Sequence, residues 1–179
     1  MDNERDETLA LRAAAGCRQS FALLLERHYD RVYRFAWRRT GSRTAGEDIA
    51  QDVSLKLARA IRGYRGDAAF TTWLHRIAYT ATIDFLRSNQ RTVTADPSEI
   101  VRLIDAAGGE RHEAEASNVD LWAAVRSLPD QQRDAVLLVY GEDLSHAETA
   151  AVLGCSEKTV SWHLHEARKR LRILLEAVG

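Results

Sequence analysis

Apolar residues recur at every third or fourth position along most of this chain, and almost nowhere at every second. Phe21, Leu24, Leu25, His28, Val32, Phe35 and Ala36 lie on one face of a single helix, while Arg27, Arg31, Arg34 and Arg38 point elsewhere. Ser20 is placed to cap that helix and Gly41 to end it. Ala45–Ile61 repeats the pattern through Ile49, Val53, Leu57 and Ala60/Ile61. The stretch Gly63-Tyr64-Arg65-Gly66-Asp67 breaks it, and Phe70–Leu86 resumes it through Trp73, Ile77, Thr80/Ala81 and Asp84/Phe85. No alternating strand pattern competes, and 2 prolines leave long helices uninterrupted. The pattern predicts an all-α fold.

The helical pattern has one gap. Residues 92–117 hold 2 basic against 6 acidic side chains and contain Gly108-Gly109, whereas residues 1–91 hold 16 basic against 11 acidic. Two small helical domains, 1–91 and 118–179, joined by an acidic linker, 92–117, are the expected organisation. Within the linker, Asp96 as a cap, Pro97 at the first helical position and Glu99 as the capping-box partner predict one short helix. Past it, Val119–Leu128 is a first helix of the second domain, and Pro129-Asp130 starts another that runs to about Tyr140.

The full chain carries a net charge of -1, so whole-chain charge does not argue for nucleic acid; local basic stretches must. No apolar run approaches the roughly 20 residues of a membrane span, and the acidic start lacks the apolar segment of a signal peptide. A cytoplasmic protein without membrane insertion is the expectation. Cys17 and Cys155 stand alone, as reduced thiols, and the six histidines show no metal spacing. No nucleophile–base pair is legible, so neither a cofactor nor an enzymatic activity is expected.

Ser145-His146-Ala147-Glu148 is a capping box, with Ser at the cap and Glu three residues on. It opens a short helix through Ala150, Ala151, Val152 and Leu153. Gly154 suits a sharp turn, and Ser156 caps a second helix, Glu157–Leu171, with Val160, Leu164, Ala167 and Leu171 on its buried side. This is the bihelical unit whose second helix enters the major groove of DNA. Lys158, Thr159, Ser161, Trp162, His165, Arg168 and Lys169 lie off the buried stripe. Together they supply the donors, acceptors and apolar groups that base edges require. Lys169, Arg170 and Arg172 add charge for phosphates.

These motifs resemble a known family. Leu128-Pro129, Arg133, Leu144 to Ala150, Thr159-Val160 and Ala167 to Leu171 are similar to region 4 of bacterial sigma factors. Glu47 to Val53 is similar to region 2.2. Tyr64-Arg65-Gly66, Ala69 to Ala78 and Asp84 to Arg87 are similar to regions 2.3 and 2.4. Both regions, in this order on one short linker, resemble the extracytoplasmic-function sigma factors.

The resemblance implies roles. Asp48, Gln51 and Asp52 fall on the segment that docks on the β′ clamp helices of core RNA polymerase, and the β flap is a second expected contact. Arg62, Tyr64 and Arg65, followed by Arg76, Tyr79 and Thr80, fall where family members melt and read the −10 promoter element. That chemistry needs positive charge for phosphates and a stack or pocket for an extruded base. Phe70 and Trp73 sit on the buried stripe and are expected in the core. Lys158, Thr159, Ser161, Trp162, His165, Arg168 and Lys169 fall on the −35 reader. Promoter DNA and an anti-sigma factor are the other implied partners.

The chain departs from the family pattern at Tyr79-Thr80, where Arg-Asn is common, and at Ser161-Trp162-His163 and Glu166 in the recognition helix. The promoter sequence therefore does not carry over. A response-regulator activator would share the helix-turn-helix but would need a strand-rich receiver in the first half. A decoy that sequesters an anti-sigma factor would usually carry an attached receiver too.

Overall fold

The computed structural model describes residues 4–93 and 116–176. Every regular element among them is helical: α1 Asp6–Ala14, α2 Arg18–Thr40, α3 Arg43–Ala60, α4 Phe70–Val93, α5 Ala116–Arg126, α6 Asp130–Val136, α7 His146–Leu153 and α8 Glu157–Glu176. A short 3-10 turn, Ile61–Gly63, follows α3, and a π-helical stretch, Leu137–Gly141, continues α6. The linker helix expected from Asp96 and Pro97 lies outside the described residues.

The helix α1 was not legible as an element, because its Ala-rich stretch has few large apolar residues. It forms because Leu9, Ala10 and Ala13 are buried and because its acids have partners. Asp6 lies 2.8 Å from Arg27 Nη1 and 2.7 Å from His28 Nε2 on α2. The backbone N–H of Phe70 donates to Glu7 Oε1 at 3.3 Å, so the N-terminal segment caps α4. Ser20, expected as the cap of α2, sits inside the helix and is buried; its hydroxyl donates to Cys17 Sγ at 3.2 Å. The helix starts three residues earlier than that cap implies, at Arg18, on an extended Cys17.

Helices α2, α3 and α4 build the first core around Leu24, Phe35, Ile49, Val53, Leu57, Phe70 and Leu74, all 1% exposed or less. Burying each such side chain contributes about 1.5–3 kcal/mol. Ser42 caps α3 by accepting from Ala45 N at 3.2 Å. At Gly46 the two helix backbones nearly touch: a Cβ there would sit 3.1 Å from both Trp37 Cβ and Tyr33 Cε2. The second core gathers Val125, Leu128, Ala135, Leu137, Leu138, Leu144, Val160, Leu164 and Ala167.

The two cores are not separate. α7 packs on α4, and the π-helical stretch packs on α2. The sequence reading has two small helical domains joined by a linker and does not place one against the other. The structure holds them face to face.

Candidate nucleic-acid interface

The helix-turn-helix forms as its motif dictates. Ser145 Oγ accepts from Glu148 N at 3.2 Å, and Glu148 Oε2 accepts from Ser145 N at 2.8 Å. These bonds, with one from the Ser145 hydroxyl, hold the Glu148 carboxyl below its ordinary range. Gly154 turns the chain at φ +69°, a left-handed conformation that a side chain would strain. Ser156 Oγ accepts from Thr159 N at 3.1 Å and starts α8.

Val160, Leu164 and Ala167 seat α8 inward, which turns Lys158, Ser161, Trp162, His165, Arg168 and Lys169 to solvent. Trp162 is 56% exposed, a large apolar group that the described residues leave open to solvent on that face. Thr159 is half-buried and spent partly on the cap, where its hydroxyl lies 2.8 Å from Ser156 Oγ. Ser161 Oγ meets His146 Nδ1 at 3.1 Å. Arg168 bonds the Tyr140 hydroxyl and lies over its ring, and Lys169 pairs with Glu166 at 3.2 Å. His163 is buried, its ring 5.0 Å from that of Trp162.

In the first half, Asp48, Gln51 and Asp52 are exposed on one face of α3, opposite buried Ile49, Val53 and Leu57. Asp52 pairs with Lys56 at 2.8 Å. Leu55 belongs to the same face, seven residues after Asp48, and is 61% exposed. The sequence reading missed it; an apolar residue out of phase with the buried stripe was the available signal.

A groove of about 650 Å³ runs between α3 and α4, lined by Lys56, Arg59, Trp73, Arg76, Ile77 and Thr80, with Asp84 at one end. Trp73 is only partly buried and lines this groove, where the sequence placed it in the core. Lys56 and Arg59 were not expected here; they become neighbours of Arg76 only because α3 and α4 cross. Arg62 and Arg65 are exposed in the preceding loop. Tyr64, expected to offer its ring to a base, is 5% exposed and packs edge-on against Phe70 and Trp73. Its hydroxyl donates to the Ala68 carbonyl at 2.9 Å, and burial pushes its pKa up. The ring is drawn inward because the loop closes over the apolar start of α4.

Of the three α4 residues expected at the −10 site, two are engaged by the second half. Arg76 Nε donates to the Ala151 carbonyl at 3.0 Å, and the Tyr79 hydroxyl donates to Asp134 Oδ2 at 3.1 Å. Burial first, then the neighbouring Asp134 carboxylate, pushes Tyr79 up to about 12. Thr80 bonds the Arg76 carbonyl at 2.9 Å and stays exposed. Among the described residues no group of His, Cys, Asp or Glu is arranged to hold a metal ion, and no helix is long and apolar enough to cross a membrane.

A basic, aromatic groove in one helical domain and a helix-turn-helix in the next define a two-domain helical protein that reads DNA. Residues 24–92 match the family model for sigma-70 region 2, and residues 118–171 match that for sigma-70 region 4. The chain is 35% identical to the ECF RNA polymerase sigma factor SigM of Mycobacterium tuberculosis, over 97% of its own length and 86% of that protein. It is 34% identical to the ECF RNA polymerase sigma factor SigE of Mycolicibacterium smegmatis over 83% of its own length, and spans 59% of that longer protein. Among solved structures, CnrH in complex with the cytosolic domain of CnrY superposes with a TM-score of 0.77 at 26% identity, covering 98% of this chain and 100% of that one. The chain belongs to the extracytoplasmic-function sigma factors of bacterial RNA polymerase.

Proposed function

We propose that this sigma factor docks on core RNA polymerase through Asp48, Gln51 and Asp52 of α3, with Leu55 as an apolar anchor. Residues 1–91 then supply the −10 module and residues 118–179 the −35 module. The groove between α3 and α4 takes the melted −10 strand: Lys56, Arg59 and Arg76 meet phosphates, Trp73 offers a face to an unstacked base, and Arg62 and Arg65 extend the basic path. Tyr79 and Thr80 border that path. The exposed face of α8 enters the −35 major groove, with Lys158, Ser161, Trp162, His165 and Arg168 toward base edges, Lys169 toward phosphate and Thr159 holding the helix start. The β′ clamp helices and β flap of polymerase are its protein contacts, and its work is done in the cytoplasm, without catalysis of its own.

The observation that carries this reading is the groove. It places three cations around one partly exposed tryptophan, the chemistry that single-stranded DNA requires, on the domain that matches region 2. An anti-sigma factor is the proposed regulator, as membership of the extracytoplasmic-function sigma factors implies.

Run-off transcription with purified core polymerase and a promoter library tests the proposal. The chain should direct promoter-dependent transcripts, and Arg59→Ala, which leaves the Asp52–Lys56 pair intact, should bind core normally but open promoters poorly. Absence of any promoter-dependent transcript sinks the reading.

A further inference from the structure

The helix α4 begins without a cap of its own. Its first bond runs from Trp73 N to the Ala69 carbonyl at 3.1 Å, which puts Ala69 at the cap position. An alanine side chain accepts no hydrogen bond, so the residue at the cap cannot serve the free N–H groups of the first turn. The acceptor comes from 63 residues earlier: Glu7 on α1 takes the Phe70 N–H at 3.3 Å. A carboxylate there also suits the positive end of the helix dipole.

α1 is fastened where it can do this. Asp6 is held by Arg27 and His28 of α2, and Leu9, Ala10 and Ala13 are buried. α1 also packs along the turn Ile61–Gly63 that opens the loop before α4. At Gly66, where φ is +80°, an added Cβ would lie 3.9 Å from Leu11 Cδ2, so α1 reaches the far bend of the same loop. The carboxylate is felt inside that loop as well: burial first, then Glu7 and Asp67, push the Tyr64 phenol up.

The first turn of α4 carries one wall of the proposed −10 groove. The Phe70 ring lies 5.3 Å from that of His28, 5.9 Å from Tyr64 and 6.0 Å from Trp73, and Tyr64 lies 5.3 Å from Trp73. Trp73 and, one turn on, Arg76 line the groove. A shift at the start of α4 therefore moves the whole aromatic cluster, and with it the face that Trp73 offers to a base. Arg62 and Arg65 sit on the loop that α1 braces.

We infer that Glu7 is a positioning residue for the −10 strand, an inference that rests on the sigma-factor reading above. It touches no DNA. It fixes the start of α4, and through it Trp73 and the loop that carries Arg62 and Arg65.

Holoenzyme rebuilt from core polymerase and the full chain, on a promoter recovered in the run-off screen, provides the test. Permanganate reactivity of melted thymines scores open complexes at equal core occupancy. Glu7→Ala should bind core as wild type does and form about three- to fivefold fewer open complexes, the upper figure being the factor by which loss of an ordinary cap shifts an equilibrium. Glu7→Gln keeps an oxygen that accepts from Phe70 N–H and should open like wild type. Ala69 is exposed, so Ala69→Ser can give α4 a local cap; added to Glu7→Ala, it should return opening to the wild-type level. Ser42→Ala removes the cap of α3, at the end far from Lys56 and Arg59, and should leave opening unchanged.

Wild-type opening by Glu7→Ala overturns the inference. So does a loss in Ser42→Ala as large as that in Glu7→Ala, which would assign Glu7 to stability alone. If Glu7→Ala loses its cooperative melt, the doubly changed chain carries the test: failure of Ala69→Ser to restore both melt and opening overturns the role. The wild type is scored in the same assay. No promoter-dependent opening by it sinks the sigma-factor reading, whereas wild-type opening with Glu7→Ala unaffected sinks only the role of Glu7.

Discussion

Glu142 and His75 meet at 3.1 Å although 66 residues separate them, and neither exposes more than 2% of its surface. The contact joins two domains that the sequence shows only as separate units. It makes the relative position of the two DNA-reading surfaces a property of specific side chains. Five consequences concern the individual surfaces and helices.

Asp48 and Asp52 are exposed and bury no apolar surface. The double variant Asp48→Ala/Asp52→Ala should keep its thermal stability within about 0.5 kcal/mol of wild type. Its affinity for core polymerase should drop by about tenfold or more, as expected when rim charges of a docking patch are removed. Surface-immobilised core polymerase measures this directly, and unchanged affinity would move the docking face elsewhere.

Trp162 should behave in the same divided way. It contributes little to the core, being 56% exposed, so Trp162→Ala should fold normally. If it contacts a −35 base edge, duplex binding by the polymerase holoenzyme should weaken by about tenfold, within the roughly 1–3 kcal/mol of a good base contact. A gel-shift titration with −35 duplex decides it.

The capping box gives a pH signature. Ser145→Ala should destabilise the second domain by about 1 kcal/mol. The Glu148 carboxyl is held below its ordinary value, so the folded chain releases that proton more readily than the unfolded one. Its stabilisation is therefore complete above the ordinary carboxylate pKa and fades as pH falls through the lowered value. Melting curves of wild type and Ser145→Ala should converge in acid; a constant gap would contradict the assignment.

At the other end of the scale, Tyr79 ionises near 12. Between its ordinary value of 10 and about 12 the folded chain keeps a proton that the unfolded chain has lost, so stability falls as pH rises through that interval. Absorbance titration of tyrosinate should show one fewer late-ionising tyrosine in Tyr79→Phe than in wild type.

Gly46 tests the packing of α2 on α3. Trp37 Cβ and the Trp37 backbone nitrogen stand at 3.1 and 3.3 Å from any added Cβ, and backbone cannot give way as a flexible side chain can. Gly46→Ala should destabilise the first domain by about 1–3 kcal/mol, seen as a lower denaturant midpoint.

The sequence alone determined the helical elements that carry large apolar stripes, the capping box at Ser145, the turn at Gly154 and the outward set on α8. Each depends on residues three or four positions apart, and backbone geometry fixes what such neighbours do. It left α1 unseen, because alanines give a weak stripe and its acids find their partners on α2 and α4. It placed Ser20 at a helix start, Tyr64 at the surface and Trp73 in the core. Which side of these aromatics faces solvent depends on how α3, α4 and the loop between them cross. Lys56 and Arg59 join Arg76 around one groove for the same reason. Glu142, which no local spacing singles out, becomes the centre of the interdomain contact because α2 and α4 bring Arg31, Arg38 and His75 to it. Local spacing decides what a helix presents; only tertiary packing decides what meets it.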